Sequence, residues 1–208
     1  MTFEKAMVIL FTKVAQTVIA ERFTHTFFDN DGNRVRKVFA YLFSVFIAIF
    51  VNLFFYKPIF NFLSIFLGLS AIALSYNGTI KRKCIFVFYI LAVSCLIDLV
   101  VSAFLIKPFG YDGYSAFVSI FALLLLHAAQ LITERFFGND LGIELNNRYW
   151  LFIIASLLVC IITSIVIFMD KTVSSFSLSL VCGAFLLVNI IISVSYTHLR
   201  AHETPEHL

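Results

Sequence analysis

The stretch that decides the fold is residues 81–108, which read KRKCIFVFYILAVSCLIDLVVSAFLIKP. Three basic residues open it and Lys107-Pro108 closes it, and the 23 residues between them carry one charge, that of Asp98. At about 1.5 Å per residue, an α-helix of this length crosses a hydrocarbon core of roughly 30 Å. A charge at this depth costs roughly 2.5–3.5 kcal/mol on insertion scales, so we expect Asp98 to have a partner or a function.

The composition extends this interpretation to the whole chain. Of its 208 residues, 61% are hydrophobic and 13% are charged, and the mean hydropathy is +0.98. A soluble domain is typically about 45–50% apolar and about 25% charged. Because the excess apolar surface must face lipid, the sequence predicts an all-α, polytopic membrane protein. The net charge is only +3 and the chain has no basic face, so nucleic-acid binding is not expected.

Apolar segments separated by turn signals divide the chain into about seven predicted transmembrane helices. The first is the least hydrophobic, because Lys5, Thr12, Lys13 and Gln16 draw a polar stripe along one face. It either spans the membrane with this stripe inside a bundle or lies at the interface, which would leave six spans. We favour the spanning interpretation. The predicted helices are 4–20, 38–55, 59–75, 84–106, 115–133, 149–169 and 176–193.

The distribution of basic residues predicts the orientation. The connections after the first, third and fifth helices carry nine Lys and Arg residues, whereas those after the second, fourth and sixth carry three. By the positive-inside rule the first set is cytoplasmic, which places the N-terminus outside and the C-terminus inside. The main inner-face topology anchors are Arg34, Arg36, Lys37, Lys81, Arg82 and Lys83.

The last residues differ in character from the rest of the chain. The string VSYTHLRAHET, residues 194–204, resembles tails that arise when sequencing-adapter DNA is translated. We therefore expect residues 194–208 to be a non-native tail and confine the domain to residues 1–193. Three of the five histidines lie in this tail without a regular spacing that would hold an ion, so no metal site and no cofactor are predicted.

The intramembrane charge of Asp98 has a predicted partner in Lys13. Ser94, Asp98 and Ser102 share one helical face at four-residue spacing, which is typical of a face turned into a bundle. Asp98 lies about eight residues, or roughly 12 Å, below the outer end of its helix, and Lys13 lies roughly 13 Å below the outer end of the first. This face either packs against a cation or takes part in ligand sensing, ion coupling or proton relay.

A second polar stripe follows the fifth predicted helix. His127, Gln130 and Glu134 recur at intervals of three and four residues. His127 is either a satisfied intramembrane histidine or a pH-sensitive switch, since an unperturbed histidine titrates near about pH 6.5. Because the chain has no H-E-x-x-H, G-x-S-x-G or P-loop motif, no catalytic residue is predicted.

Residues 77–83, NGTIKRK, followed by an apolar helix with a central acidic residue, resemble the membrane region of the GHKL-type, Agr-like sensor histidine kinases of Gram-positive bacteria. The likeness covers about residues 1–193 and includes closely spaced helices, very short outer loops and a last helix entering the cytoplasm. It implies a bacterial plasma membrane protein that detects a peptide or hydrophobic signal, forms a homodimer and continues into a kinase domain. No phosphoacceptor histidine in a helical setting and no ATP-binding motif is present in this sequence, so no catalytic residue is carried over.

Two other function classes are compatible with this sequence. A small transporter or transporter fragment would use Lys13, Asp98 and His127 as an ion or substrate path. Pro58 and Pro108 both lie in predicted turns, which speaks against a transporter because Gly and Pro interruptions mark many discontinuous transporter helices. A membrane-embedded enzyme has the least support, because the inner face lacks a cluster of acid, base and nucleophile. The lipid bilayer is the expected partner in every case.

Overall fold

The computed structural model describes residues 3–28, 33–55, 58–111 and 115–137, together with positions 158, 159, 161 and 162. Within these ranges all regular structure is helical, which confirms the all-α class for this part of the chain. The predicted helices 149–169 and 176–193 fall outside the described residues except for those four positions, and the tail 194–208 falls wholly outside them. The helices are α1 Phe3–Phe27, α2 Arg34–Phe54, α3 Pro58–Ser75, α4 Ile80–Val101, α5 Lys107–Phe109 and α6 Ala116–Phe137, with a π-helical segment, Ser102–Ile106, between α4 and α5.

Three stretches are long and apolar enough to cross a membrane, namely Arg34–Phe54, Ile80–Phe109 and Ala116–Arg135. Ile59–Ser75 is apolar but shorter. The 25-residue α1 does not meet the same criterion, because its polar stripe lowers its hydropathy. These helices identify the chain as a membrane protein. The count of seven spans, the outside position of the N-terminus and the spanning of the first helix stay predictions.

Two N-cap residues place the starts of α2 and α4 closer to the N-terminus than the sequence predicted. Asn33 accepts a hydrogen bond from the Val35 amide at 3.0 Å, and Thr79 accepts one from the Arg82 amide at 3.4 Å. Such side-chain acceptors satisfy amides that the first helical turn leaves open. The basic residues predicted to lie in connections, 34–37 and 81–83, therefore occupy the first turns of helices.

The first helix ends at Phe27 rather than at residue 20, and α2 begins at Arg34, so most of the predicted polar connection 21–37 is helical. Its last two turns carry Phe23 and Phe27, which are 0% and 3% exposed. The Phe27 ring lies 5.6 Å from that of Phe86 and the Phe23 ring 6.4 Å from that of Tyr89. Phe23 and Phe27 reach the rings of α4 together because this part of the chain is helical. Packing against α4 therefore extends α1 beyond its apolar segment.

The predicted end of this helix at residue 106 is wrong, because the helix continues through Lys107-Pro108 to Phe109. Proline has no amide hydrogen, and in an α-helix its ring collides with the carbonyl four residues before it. The wider π-helical segment ends at Ile106, two residues before Pro108, and the Lys107 amide donates to the carbonyl of Ser102, five residues earlier. The helix ends at Gly110, whose φ of 68° is a left-handed conformation that glycine adopts without strain.

The helices pack around an aromatic cluster at one end of the bundle. α1 contacts α2, α4 and α6, α3 contacts α2 and α4, and α6 also contacts α4. Phe28 stacks on Tyr76 of the α3 end at 5.3 Å and meets Phe86 at 5.2 Å. The opposite surface of α2 carries exposed phenylalanines, as expected for a face in lipid. The aromatic cluster comprises Phe23, Phe27, Phe28, Tyr76, Phe86 and Tyr89.

Gly68 sets how closely α2 and α3 approach each other. A Cβ atom at this position would collide with the Oγ of Ser44 on α2 and would lie 3.1 Å from its Cβ. Small residues at such crossings allow membrane helices to pack closely. The α2–α3 pair therefore depends on a glycine within α3.

We expect Gly68→Ala to lower the midpoint of thermal unfolding in detergent micelles. In a helix interior, this substitution ordinarily stabilises by roughly 0.5–1 kcal/mol, so a loss of stability would reveal the collision with Ser44. Ser44→Ala in the same chain removes the colliding hydroxyl and should recover part of the loss, with Ser44→Ala alone as the control. A Gly68→Ala protein as stable as the original would contradict the close approach.

Candidate functional site

Lys13 is a buried cation in the interior of the bundle, with 8% of its surface exposed. Its Nζ donates hydrogen bonds to Gln16 Oε1 and to Asn61 Oδ1, each at 3.2 Å. Gln16 lies one turn along α1, whereas Asn61 lies at the beginning of α3. Because an ammonium in apolar surroundings needs acceptors, these two amides hold it in place and tie α1 to α3.

Asn52 connects α2 to the hydrogen bonds around Lys13. Its Nδ2 donates to Asn61 Oδ1 at 2.9 Å and to the carbonyl of Ala48 at 2.8 Å. The Asn61 oxygen thus accepts from both Asn52 and Lys13, and three helices meet there. We call Lys13, Gln16, Asn52 and Asn61 the Lys13 cluster.

Asn52 and Asn61 were not predicted as site residues from the sequence. A useful signal was present, since a single amide in an apolar helix needs a hydrogen-bond partner in the membrane. Each asparagine stands near the end of its helix, one on either side of the short α2–α3 connection. That position already places the two amides at the same level of an antiparallel pair.

Asp98 of α4 lies close enough to Lys13 for the two charges to interact. The Asp98 side chain is exposed, while Ser94 and Ser102 are half-buried. Both hydrogen bonds of the Lys13 ammonium go to amide oxygens rather than to this carboxylate. The structure therefore brings the two predicted residues together electrostatically, and their functional coupling stays a prediction.

The α1–α4 contacts show an antiparallel register with two levels. At one level the charges of Lys13 and Asp98 interact, and at the other Phe27 meets Phe86 and Tyr89. The two levels are about 21 Å apart along α1, from Lys13 to Phe27, and about 18 Å apart along α4, from Asp98 to Phe86. One pair of helices thus connects the polar interior of the bundle with the aromatic cluster.

The predicted residues of α6 belong to the aromatic level. Gln130 is fully buried, and its Nε2 donates to Glu134 Oε2 at 2.7 Å. Thr133, one turn away, hydrogen-bonds the hydroxyl of Tyr89 at 2.8 Å. His127 is half-buried one turn before Gln130. The structure therefore does not join Gln130 to the Lys13 cluster.

Two of the predicted topology anchors, Arg36 and Lys37, connect the ends of neighbouring helices through side-chain contacts. The Lys37 Nζ lies 4.2 Å from the centroid of the Tyr76 ring, and an Arg36 guanidinium nitrogen donates to the Leu74 carbonyl at 2.6 Å. The Tyr76 hydroxyl lies 3.0 Å from the hydroxyls of both Thr24 and Tyr41. These contacts join the C-terminal ends of α1 and α3 to the N-terminal end of α2. Arg34 is exposed and residues 81–83 are half-buried.

Comparisons of this chain with protein-family models, with curated proteins and with solved structures found no match. A function is therefore inferred from the geometry of the chain's own residues.

We expect Asn61→Leu to lower the free energy of unfolding by about 1–3 kcal/mol, because it leaves the donors of Lys13 and Asn52 without their shared acceptor. Urea or thermal unfolding of the purified chain in detergent would measure the loss. Asn61→Asp keeps an acceptor oxygen for Lys13 and serves as the control that should retain most of the stability.

A double substitution separates this contact from general damage to the packing. Lys13→Met removes the cation, so Lys13→Met with Asn61→Leu should cost less than the two single losses added together. Strictly additive losses would contradict the shared network.

Proposed function

We propose that this chain is the membrane input region of a bacterial sensor histidine kinase of the GHKL type. It resides in the plasma membrane as a multi-pass bundle and forms a homodimer. It detects a peptide or hydrophobic signal within the bundle and passes the change to a cytoplasmic kinase domain. The supporting observation is the antiparallel α1–α4 pair, in which the charges of Lys13 and Asp98 interact at one level and aromatic rings pack at the other.

The buried charge of Lys13 in an apolar bundle supports a role in sensing more than a purely structural role. Lys13 is held by amide oxygens of α1 and α3, and its charge also acts on Asp98 of α4. A molecule that binds near Asp98 changes this balance and alters how α1 sits against α4. Ligands shift conformational equilibria only through such differential interactions.

At the aromatic cluster, the same two helices pass the signal toward the cytoplasm. Phe23 and Phe27 of α1 interlock with Phe86 and Tyr89 of α4, one turn from the basic residues 81–83 that are predicted to be cytoplasmic. Closely packed rings have few alternative arrangements, so a displacement of α1 changes the packing in discrete steps. This geometry supports transmission of a signal over about 20 Å of helix.

The genomic sequence following codon 193 tests this proposal directly. We expect it to encode a dimerising helix pair and an ATP-binding kinase domain, because the input region needs an effector in the same chain. An early stop codon, or further apolar helices in place of a kinase domain, would contradict the sensor function.

The full-length protein in membrane vesicles allows a test of the input residues. We expect Lys13→Leu and Asp98→Leu each to change basal autophosphorylation severalfold, because each leaves one intramembrane charge without the other, and the double substitution to restore part of the original activity. Incorporation of labelled phosphate from ATP measures the effect. Lys5→Leu, on the same helix but outside the Lys13 cluster, is the control. Independent effects of the two substitutions would count against the coupling.

Transport is the second candidate, and one observation favours it. The π-helical segment Ser102–Ile106 interrupts the regular helix one turn after Asp98, where the sequence predicts a continuous helix. Irregular backbone in a membrane helix often lines a cavity or an ion path. Uptake of labelled substrates or ions by proteoliposomes containing the chain separates the two functions, since a sensor region mediates no accumulation.

A further inference from the structure

Two lysines are buried in the described part of the chain, and they differ in what surrounds their charge. The Lys37 ammonium lies over an aromatic ring, 4.2 Å from its centroid. The Lys13 ammonium has two hydrogen bonds, and both acceptors are uncharged amide oxygens, those of Gln16 and Asn61. No carboxylate of a described residue is in ion-pair contact with it, and Asp98 acts on it through space without such contact. Because a buried charge is costly unless a counter-charge is close, this ammonium is incompletely compensated.

Hydrogen-bond donors outnumber acceptors around Lys13. An ammonium has three donors and a side-chain amide has two. The Gln16 oxygen accepts from Lys13, and the Asn61 oxygen accepts from both Lys13 and Asn52. The third N–H of Lys13 and the amide nitrogens of Gln16 and Asn61 have no hydrogen-bond partner among the described residues. A positive charge with several unused N–H groups beside it is suited to an anion.

The geometry lets one anion contact more than one of these nitrogens. In a planar amide the nitrogen lies about 2.3 Å from the oxygen. Each amide oxygen is 3.2 Å from the Lys13 Nζ, so its nitrogen lies no more than about 5.5 Å from Nζ. An anion oxygen at about 2.9 Å from Nζ can therefore also accept from that amide.

The number and charge of the donors favour a carboxylate among anions. A carboxylate has two oxygens with about four acceptor positions, which matches donors that come from different side chains better than a spherical halide does. The site holds one ammonium, whose charge Asp98 already offsets in part. One negative charge is therefore sufficient, and a dianion would leave an excess.

The Lys13 cluster lies near one end of the bundle. Asn52 is two residues before the end of α2 and Asn61 is three residues after the start of α3, so both lie within about 5 Å of the α2–α3 connection. Gln16 and Asn61 are half-buried. From Lys13, α1 continues for about 15 Å to Phe3. A solute can therefore approach the cluster beside α1, from the predicted outer side of the membrane.

We propose that the Lys13 cluster binds a monocarboxylate, with one carboxylate oxygen on the Lys13 ammonium and the other within reach of the amide nitrogens of Gln16 and Asn61. Binding supplies a close counter-charge for the buried ammonium and adds hydrogen bonds between α1 and α3. The acid is either water-soluble or a fatty acid dissolved in the lipid, since both present the same group. Such a site goes beyond the proposed function, because it can serve a sensor and a transporter alike.

Butyrate and butyramide are matched probes for this site, because they are similar in size and differ in charge. The full chain in dodecyl maltoside micelles is unfolded by heat and followed by circular dichroism, with either sodium butyrate or butyramide plus equimolar sodium chloride. A ligand that binds only the folded chain raises the midpoint once its concentration exceeds its dissociation constant. We expect butyrate to bind roughly 10- to 100-fold more tightly than butyramide, as for a hydrogen bond to a charged group.

A longer pair of probes identifies the source of the acid. Octanoate and octanamide enter micelles, whereas butyrate stays mainly in water. Stabilisation by butyrate supports a water-soluble acid as the ligand. Stabilisation by octanoate beyond that by octanamide, without an effect of butyrate, supports a fatty acid that reaches the site from the lipid.

Two substitutions locate the site. Lys13→Met removes the ammonium and should abolish the preference for the acid over its amide, whereas Lys5→Met, on the same helix but outside the Lys13 cluster, should preserve it. Gln16→Glu keeps the cation and places a carboxylate of the chain beside it. We expect this variant to unfold at a higher temperature than the original without ligand and to show no preference for the acid. It provides the test if Lys13→Met fails to fold.

Three outcomes would overturn the proposal. Equal stabilisation by butyrate and by butyramide with sodium chloride, together with equal stabilisation by octanoate and octanamide, would show that no carboxylate is selected. Stabilisation by none of the probes would show that water satisfies the donors of the cluster. A preference for the acid that survives both Lys13→Met and Gln16→Glu would place the anion elsewhere. The coding sequence after codon 193 is unaffected by these results, so the carboxylate site and the sensor function can fail separately.

Discussion

The ammonium of Lys13 imposes the constraint on which the rest of the bundle depends. A cation enclosed by apolar side chains is tolerated only where acceptors surround it, and the cost of an unpaired one is several kcal/mol. Asn61 supplies an acceptor from α3, and Asn52 holds Asn61 in turn from α2. The mutual positions of three helices are thereby set by one charge and two amides.

The α2–α3 pair can meet this constraint because its helices approach closely. Gly68 lies against Ser44 without room for a larger side chain, which brings the two helices into direct contact. Hydrophobic burial offers little driving force between helices in lipid, so close packing and polar contacts carry the association. The exposed phenylalanines of α2 then face the bilayer, where they need no protein partner.

The α1–α4 pair packs tightly at the aromatic cluster and is held more weakly at the level of Asp98. At the aromatic cluster, Phe23 and Phe86 are completely buried and the contacts are ring against ring. At the level of Asp98, the charges of Lys13 and Asp98 attract each other, while the hydrogen bonds of Lys13 go to Gln16 and Asn61. A sensor benefits from this arrangement, because a ligand can change the weaker contact while the stronger one holds the helices in register.

Much of the fold followed from local sequence, because hydrophobicity and helix capping act over a few residues. The helical class of the described residues and the membrane character of the chain were predicted from composition and spacing, and the functional role of Lys13 and Asp98 stays a prediction. The length of α1, the amide partners of Lys13 and the helical path through Pro108 were not predicted. Lys13 and Asn61 are 48 positions apart in the chain, and only the packing of α1 against α3 brings them within 3.2 Å. In the sequence, Phe23 and Phe27 likewise fall in a predicted polar connection. Only the folded structure brings up the rings of α4 that bury them. Where a partner comes from a distant helix, spacing along one segment carries no information about it, and tertiary contact decides.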